Sequence, residues 1–148
     1  YDARVNGLTL RLMLWRETLA TMNGLDYILG KGTTDQTNKL LEKRLDNLGL
    51  INHLSFNPHN QYVDTFWRTG ILGLLLLILI PTYSLVIGLN RKDKLLVQFS
   101  LFMLAVMCSE SIFGRVNGVY FFTTTILILM NTNNLNEDSH IRDKRDTK

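Results

Sequence analysis

From Thr69 to Asn90 the chain carries no charged residue, and Leu95 to Ser109 and Val116 to Asn136 are uncharged as well, so nearly all of its charge lies toward the two ends. A water-soluble domain interleaves charged and apolar residues throughout, and this segregation argues against one. Ile71 to Leu89 is long enough, at about 1.5 Å per residue, to cross a hydrocarbon layer of about 30 Å, and it is apolar on every side. It predicts a first spanning helix over 71–89, kinked at Pro81. A second span is expected over 95–113, interrupted by Ser100, Ser109, Glu110 and Ser111. A third is expected over 116–130, where Thr123, Thr124 and Thr125 can bond back to helix carbonyls. The fold expected is therefore an all-α integral membrane protein. An outward-facing helical loop (1–69) precedes three transmembrane helices (within 70–131), and a polar, disordered tail (132–148) follows them.

Basic residues set the orientation. Arg91-Lys92-Asp93-Lys94 lies between the first two spans, and Arg142, Lys144, Arg145 and Lys148 lie in the tail, whereas the turn between spans two and three offers only Arg115. The positive-inside rule places the first two groups in the cytoplasm and residues 1–69 outside with the Gly114–Gly118 turn. A formal charge of +3, with acids and bases interleaved, does not point to nucleic acid. The lone Cys108 excludes a disulfide within the chain and a cysteine-rich zinc site, and His53 and His140 have no second ligand at metal spacing. The chain opens on Tyr1-Asp2-Ala3-Arg4 and reads as a piece of a longer protein.

Within the loop, Leu10, Met13, Leu14, Trp15, Leu19 and Met22 recur at helical spacing until Asn23-Gly24, and predict an amphipathic helix. Asn38 to Gly49 repeats the pattern, with leucines on one side, charges on the other and a terminal glycine. The loop then ends in Asn57-Pro58-His59-Asn60-Gln61-Tyr62 and runs into the first span. Pro58 suits the first turn of a helix, which puts His59 and Asn60 at a helix mouth where unpaired amides favour an anion and a neutral imidazole can take a proton. The same position also suits a histidine that merely caps the helix. Gly30-Lys31-Gly32 has neither the third glycine nor the preceding strand of a dinucleotide fingerprint and reads as a turn. Glu110, one turn inside the outward end of a span, needs a partner or water, and Arg115 is the cation nearest in sequence. Arg16 and Arg68 could meet phosphate or snorkel at the interface.

This stretch resembles the O-antigen ligase and O-antigen polymerase family of bacterial envelope glycosyltransferases, whose hallmark is His-Asn, nine residues, then Gly-x-x-Gly at the head of a membrane helix. Here it reads His59-Asn60, Gln61 to Thr69, Gly70-Ile71-Leu72-Gly73. Arg11-Leu12-Met13-Leu14-Trp15 is similar to the family's arginine-and-tryptophan helix, Leu29-Gly30-Lys31-Gly32 to its Gly-x-Gly turn, and Ser109-Glu110-Ser111-Ile112-Phe113 to its acidic patch. The family has ten or more spans, so the resemblance implies the C-terminal part of a larger protein, inactive by itself without the earlier membrane segments.

The resemblance further implies transfer of a glycan from an undecaprenyl diphosphate carrier to a hydroxyl of a glycan or lipid-core acceptor. The reaction would take place on the periplasmic face of the bacterial inner membrane, with inversion and without metal or cofactor. Arg11 is then expected at the diphosphate and His59 at the acceptor hydroxyl, with Trp15, Gly30, Gly32, Asn60, Tyr62 and Glu110 contributing to substrate binding. In a helix Arg11 and Trp15 share a face, so Trp15 could hold the guanidinium, lie at the interface or stack on a sugar. The alternative is a non-catalytic membrane protein whose outward loop binds a partner or a lipid head group.

Overall fold

The computed structural model describes residues 7–47 and 58–146, with 132–146 as backbone only. It is all-helical: α1 (Gly7–Leu19), α2 (Asp26–Leu29), α3 (Asp35–Asn47), α4 (Gln61–Arg91), α5 (Lys94–Val106) and α6 (Val116–Asp146), with a 3-10 turn at Ile112–Gly114. His53 and Gly49 lie outside the described residues, and of His140 only the backbone is described. The chain divides into two units, Tyr1–Leu79 with Ala105–Ser111, and Ile80–Leu104 with Ile112–Lys148.

The first unit is built on α1 and α3. In α3, Thr37, Leu41 and Leu45 fall four residues apart and are all buried, as the leucine pattern predicts. In α1 only Leu14 and Thr18 are fully buried, Met13, Trp15 and Leu19 pack against the core, and Leu8 and Leu12 stay exposed. Trp67 of α4 completes the core with Leu14, Met22, Leu41 and Leu45. Its indole N–H donates to Thr21 Oγ1 at 2.8 Å, and the Thr21 hydroxyl donates to the Thr18 carbonyl at 2.7 Å. Burying an indole without that partner would cost more than the bond itself contributes.

The break in α4 falls at Gly70 (φ 67°, ψ −165°), while Pro81, where the sequence predicts a kink, keeps helical angles. Proline removes one helix hydrogen bond, and a helix absorbs that; Gly70 is deformed because another segment crosses it. A Cβ on Gly70 would overlap the Ile28 carbonyl, and a Cβ on Gly30 would overlap the carbonyl of Arg68. At the crossing, the N–H groups of Lys31 and Gly32 donate to the Trp67 and Arg68 carbonyls at 2.8 and 2.9 Å. Those carbonyls would pair with residues 71 and 72 in an unbroken helix, so the Gly-Lys-Gly turn replaces what the break removes. Gly30 itself sits at φ 78°, where a side chain is strained.

Below the break α4 remains apolar and outward-facing, with Leu75, Leu76 and Leu79 56%, 60% and 60% exposed, which a soluble core helix would not tolerate. Among the described residues it is the one helix long and apolar enough to cross a membrane. The second predicted span is shorter than expected: α5 stops at Val106, about 20 Å of helix, and the chain turns through Met107 to Ser109. The polar run Ser109-Glu110-Ser111 turns back to hydrogen-bond the start of α4 rather than extending a helix.

In the second unit, Asp93 caps α5 by accepting from the Leu95 and Leu96 amides, and Ser84 and Ser100 share a buried hydroxyl pair at 2.7 Å. Phe99 packs on Phe121 and Phe122, and Phe113 on Phe122. The apolar part of α6, Val116–Asn131, is also shorter than a full span. The helix then runs on to Asp146, through residues expected to be disordered; no glycine or proline after Gly118 interrupts it, and extending an existing helix avoids the cost of nucleation.

The crossing makes a testable contrast. Gly30→Ala should destabilise the detergent-solubilised protein by about 1–3 kcal/mol, through both positive φ and overlap. Gly7→Ala, in α1 with open space around it, should leave stability unchanged or raise it by up to about 1 kcal/mol. Thermal denaturation of the two variants checks this.

Candidate functional site

The N-terminus of α4 is the organising element. Asn60 caps it: Oδ1 accepts from the Val63 amide at 3.1 Å, Nδ2 donates to the Cys108 carbonyl at 3.0 Å, and the Asn60 amide donates to Ser111 Oγ at 3.2 Å. The Gln61 amide donates to the Met107 carbonyl at 2.8 Å. Together these bonds tie the head of α4 to the turn after α5. Asn60 and Gln61 are buried, so the exchange of amide hydration for protein partners is nearly complete there.

Pro58 is buried, and its carbonyl accepts the Trp15 indole N–H at 2.7 Å. Trp15 therefore holds the turn just ahead of His59; of the three uses foreseen for it, none involves this bond. His59 follows with φ 48°, a left-handed conformation that costs a residue with a side chain about 1–3 kcal/mol.

Held in this way, His59 Nδ1 lies 3.4 Å from Glu110 Oε2, and Arg11 Nη2 lies 3.6 Å from Glu110 Oε1. One carboxylate thus bridges an imidazole and a guanidinium, and its partners come from α1 and the head of α4 rather than from Arg115. The side chains of Arg11, His59 and Glu110 are 39%, 35% and 52% exposed. Ion pairs this open contribute about 0.2–1 kcal/mol each, less than the strain at His59. The buried bonds of Trp15 and Asn60 hold the turn, and the cluster does not account for stability. Because a carboxylate only accepts, the His59–Glu110 contact places a proton on Nδ1, and in a neutral imidazole the basic nitrogen is then Nε2.

The other expected residues have different surroundings. Gly30 and Gly32 make the crossing with α4, and the Lys31 side chain lies 2.6 Å from Asp26. The Lys31 ammonium, with the Asn23 amide, holds the Asp26 carboxyl below the usual carboxylate range. Tyr62 is half-buried in the first turn of α4. Arg68 is taken up by Asp64 at 2.8 Å and Asn38 at 3.1 Å and lies over the Trp67 ring, while Arg16 is exposed. The sequence placed Ser111 in the polar interruption and the acidic stretch but did not point to its hydroxyl meeting Asn60; its spacing of two from Ser109 carries no signal of that contact.

A helical unit leads into an apolar helix long enough to cross a membrane, and an arginine, a histidine and a carboxylate converge at the helix head. The sequence model of the O-antigen ligase family matches residues 2–78, more than half of the 148. The chain belongs to the O-antigen ligase family. The matched region contains Arg11, Trp15, His59, Asn60 and the Gly70–Gly73 pair, and it stops before Glu110. No curated protein and no solved structure matches the chain.

Trp15→Phe separates packing from hydrogen bonding. It keeps a ring against the core but frees the Pro58 carbonyl, and should cost about 1 kcal/mol of stability while loosening the His59 turn. Hydrogen exchange at the Asn60 and Gln61 amides should accelerate in this variant; wild-type protection there would remove Trp15 from the support of the site.

Proposed function

We propose that this chain carries the acceptor-activating and diphosphate-holding residues of an enzyme that moves a glycan from an undecaprenyl diphosphate carrier to an acceptor hydroxyl. The acceptor is a glycan or a lipid core, and the site lies on the outer face of the bacterial inner membrane. The observation that carries this reading is the convergence of Arg11, His59 and Glu110, distant in sequence, on one open surface at the head of α4. In the step we infer, the acceptor oxygen bonds to the anomeric carbon as the bond from that carbon to the diphosphate oxygen breaks with inversion. The hydroxyl proton passes to His59 Nε2, and the diphosphate leaves with the bonding electrons. Glu110 holds the imidazole in the Nδ1–H form and stabilises it once protonated, the role an acidic partner plays for any histidine base. Arg11 presents paired N–H donors at fixed geometry, suited to the charge growing on the leaving diphosphate. No step calls for a metal or cofactor.

The accompanying topology has three membrane segments, 71–89, α5 (Lys94–Val106) and the apolar part of α6 (Val116–Asn131), the last two shorter than a full span, with residues 1–69 periplasmic. A hydrogen bond from Arg91 Nη1 to the Met130 carbonyl at 3.0 Å supports placing the basic α4–α5 turn and the end of the third segment on one side. In the full-length protein with Cys108→Ser as background, a cysteine at Thr34 should react with an impermeant thiol reagent from outside, and one at Lys94 should not. The reverse pattern would overturn the orientation.

His59→Ala should lower glycan transfer by about a hundredfold or more at normal membrane expression. Glu110→Gln should lower it less and alter the pH profile, because the amide can hold the ring but not stabilise its charge. Arg11→Lys should impair transfer and Arg11→Ala impair it further, since lysine is a point charge without the paired fork. Transfer within a few-fold of wild type for His59→Ala would leave His59 as a capping residue and sink the proposal.

A further inference from the structure

The short helix α2 presents an apolar surface that neither the core nor the site uses. Leu25, Tyr27, Ile28 and Leu29 are 70%, 48%, 48% and 63% exposed, although they are neighbours in sequence. The charges beside them are already neutralised, because Asp26 is joined to Lys31 at 2.6 Å and accepts the Asn23 amide at 2.8 Å. The exposed leucines, isoleucine and tyrosine gain by leaving water, and pairing makes Asp26 and Lys31 less costly beside them than two separate charges would be.

Its height on the molecule is fixed. The Ile28 carbonyl lies against Gly70, the Lys31 and Gly32 amides bond to the Trp67 and Arg68 carbonyls, and the Tyr27 ring is 6.3 Å from that of Phe66. This is the level at which α4 changes from its polar first part, Gln61 to Gly70, to its exposed apolar run, beginning with Ile71, Leu72, Leu75 and Leu76. The surface of α2 is therefore continuous with the part of α4 that faces lipid when α4 spans. Tyrosine at such a boundary and aliphatic side chains beside it are what a bilayer interface takes up.

We propose that α2 is a membrane-dipping anchor, with Leu25, Ile28 and Leu29 inserted at the headgroup–acyl boundary of the outer leaflet. Through the Gly30–Gly70 crossing it holds the helical unit at a set height over the bilayer. The inference rests on α4 crossing the membrane but not on the transfer chemistry.

The test uses full-length protein in proteoliposomes, with Cys108→Ser as background and a nitroxide at Leu25→Cys or Leu29→Cys. A label at Leu76→Cys marks the span, and one at Lys39→Cys, on exposed α3, marks water. Collision with oxygen, which concentrates in lipid, is compared with collision with a water-soluble nickel chelate. Labels on α2 should be several-fold less accessible to nickel than the label at position 39, and more accessible to oxygen. Nickel accessibility equal to that at position 39 would put α2 in water, and low accessibility to both would mean that protein covers it; either result overturns the proposal. If the Leu76→Cys label also reads as water, the span itself fails and the anchor with it. Transfer near wild type in His59→Ala, with the α2 labels still exposed to lipid, would count against the chemistry alone.

Discussion

Asn60 and Gln61 are buried at the head of α4, so the first amides there must find protein partners, and Asn60 answers that need. Its side chain closes the first turn of α4 and at the same time takes the Cys108 carbonyl, while its own amide takes the Ser111 hydroxyl. Everything that gathers around His59 depends on this three-way bond. It joins residues fifty positions apart in sequence (about the separation of Asn60 from Ser111), and it sets Glu110, one residue before Ser111, within reach of the residue before Asn60. The His-Asn pair is thus a division of labour between neighbours, with Asn60 buried and structural and His59 strained outward and open.

The glycines divide labour in a similar way. Gly70 gives α4 the break that lets the chain at Ile28 and Gly30 pass against it, and the amides after Gly30 replace the helix bonds lost there. Gly73 answers to a different neighbour: a Cβ there would meet the Thr69 side chain, whose hydroxyl is turned back to the Thr65 carbonyl. A spacing that reads in the sequence as one motif therefore meets two local packing demands. The demand at Gly73 comes from a side chain, whereas those at Gly30 and Gly70 come from backbone atoms at positive φ, where any side chain would overlap.

Much of this was legible in the residues. Helical periodicity located α1 and α3, the uncharged run located the apolar part of α4, and Pro58 located its head, because each of those signals is local. What the residues did not disclose depends on contacts between distant segments. Hydropathy continued the second span to 113, whereas α5 stops at Val106 because the following polar turn finds partners on α4. Proline drew the expected kink to Pro81, whereas the break lies where α2 crosses. Arg115 was nearest to Glu110 in sequence, but Arg11 and His59 make its ion pairs. Trp15 shows the same limit, since its spacing from Arg11 describes a helix face and says nothing of the Pro58 carbonyl that its N–H reaches.

The energetics of the site follow from where burial is spent. Trp15, Pro58, Asn60 and Gln61 hold the turn by buried or half-buried bonds of ordinary length, each contributing about 0.5–1.5 kcal/mol. The left-handed His59 consumes a comparable amount, and the open contacts of Glu110 with Arg11 and His59 return less than that. A turn optimised for stability alone would place glycine or asparagine at position 59 and leave Glu110 to solvent. Keeping an imidazole there, with its tautomer set by one carboxylate and a guanidinium on the same carboxylate, favours a site arranged for a ligand. An anion arriving at Arg11 would compete with Glu110 for the guanidinium, and Glu110 would then be free to tighten on His59. On the proposed mechanism, diphosphate binding and imidazole orientation would be coupled through that single side chain.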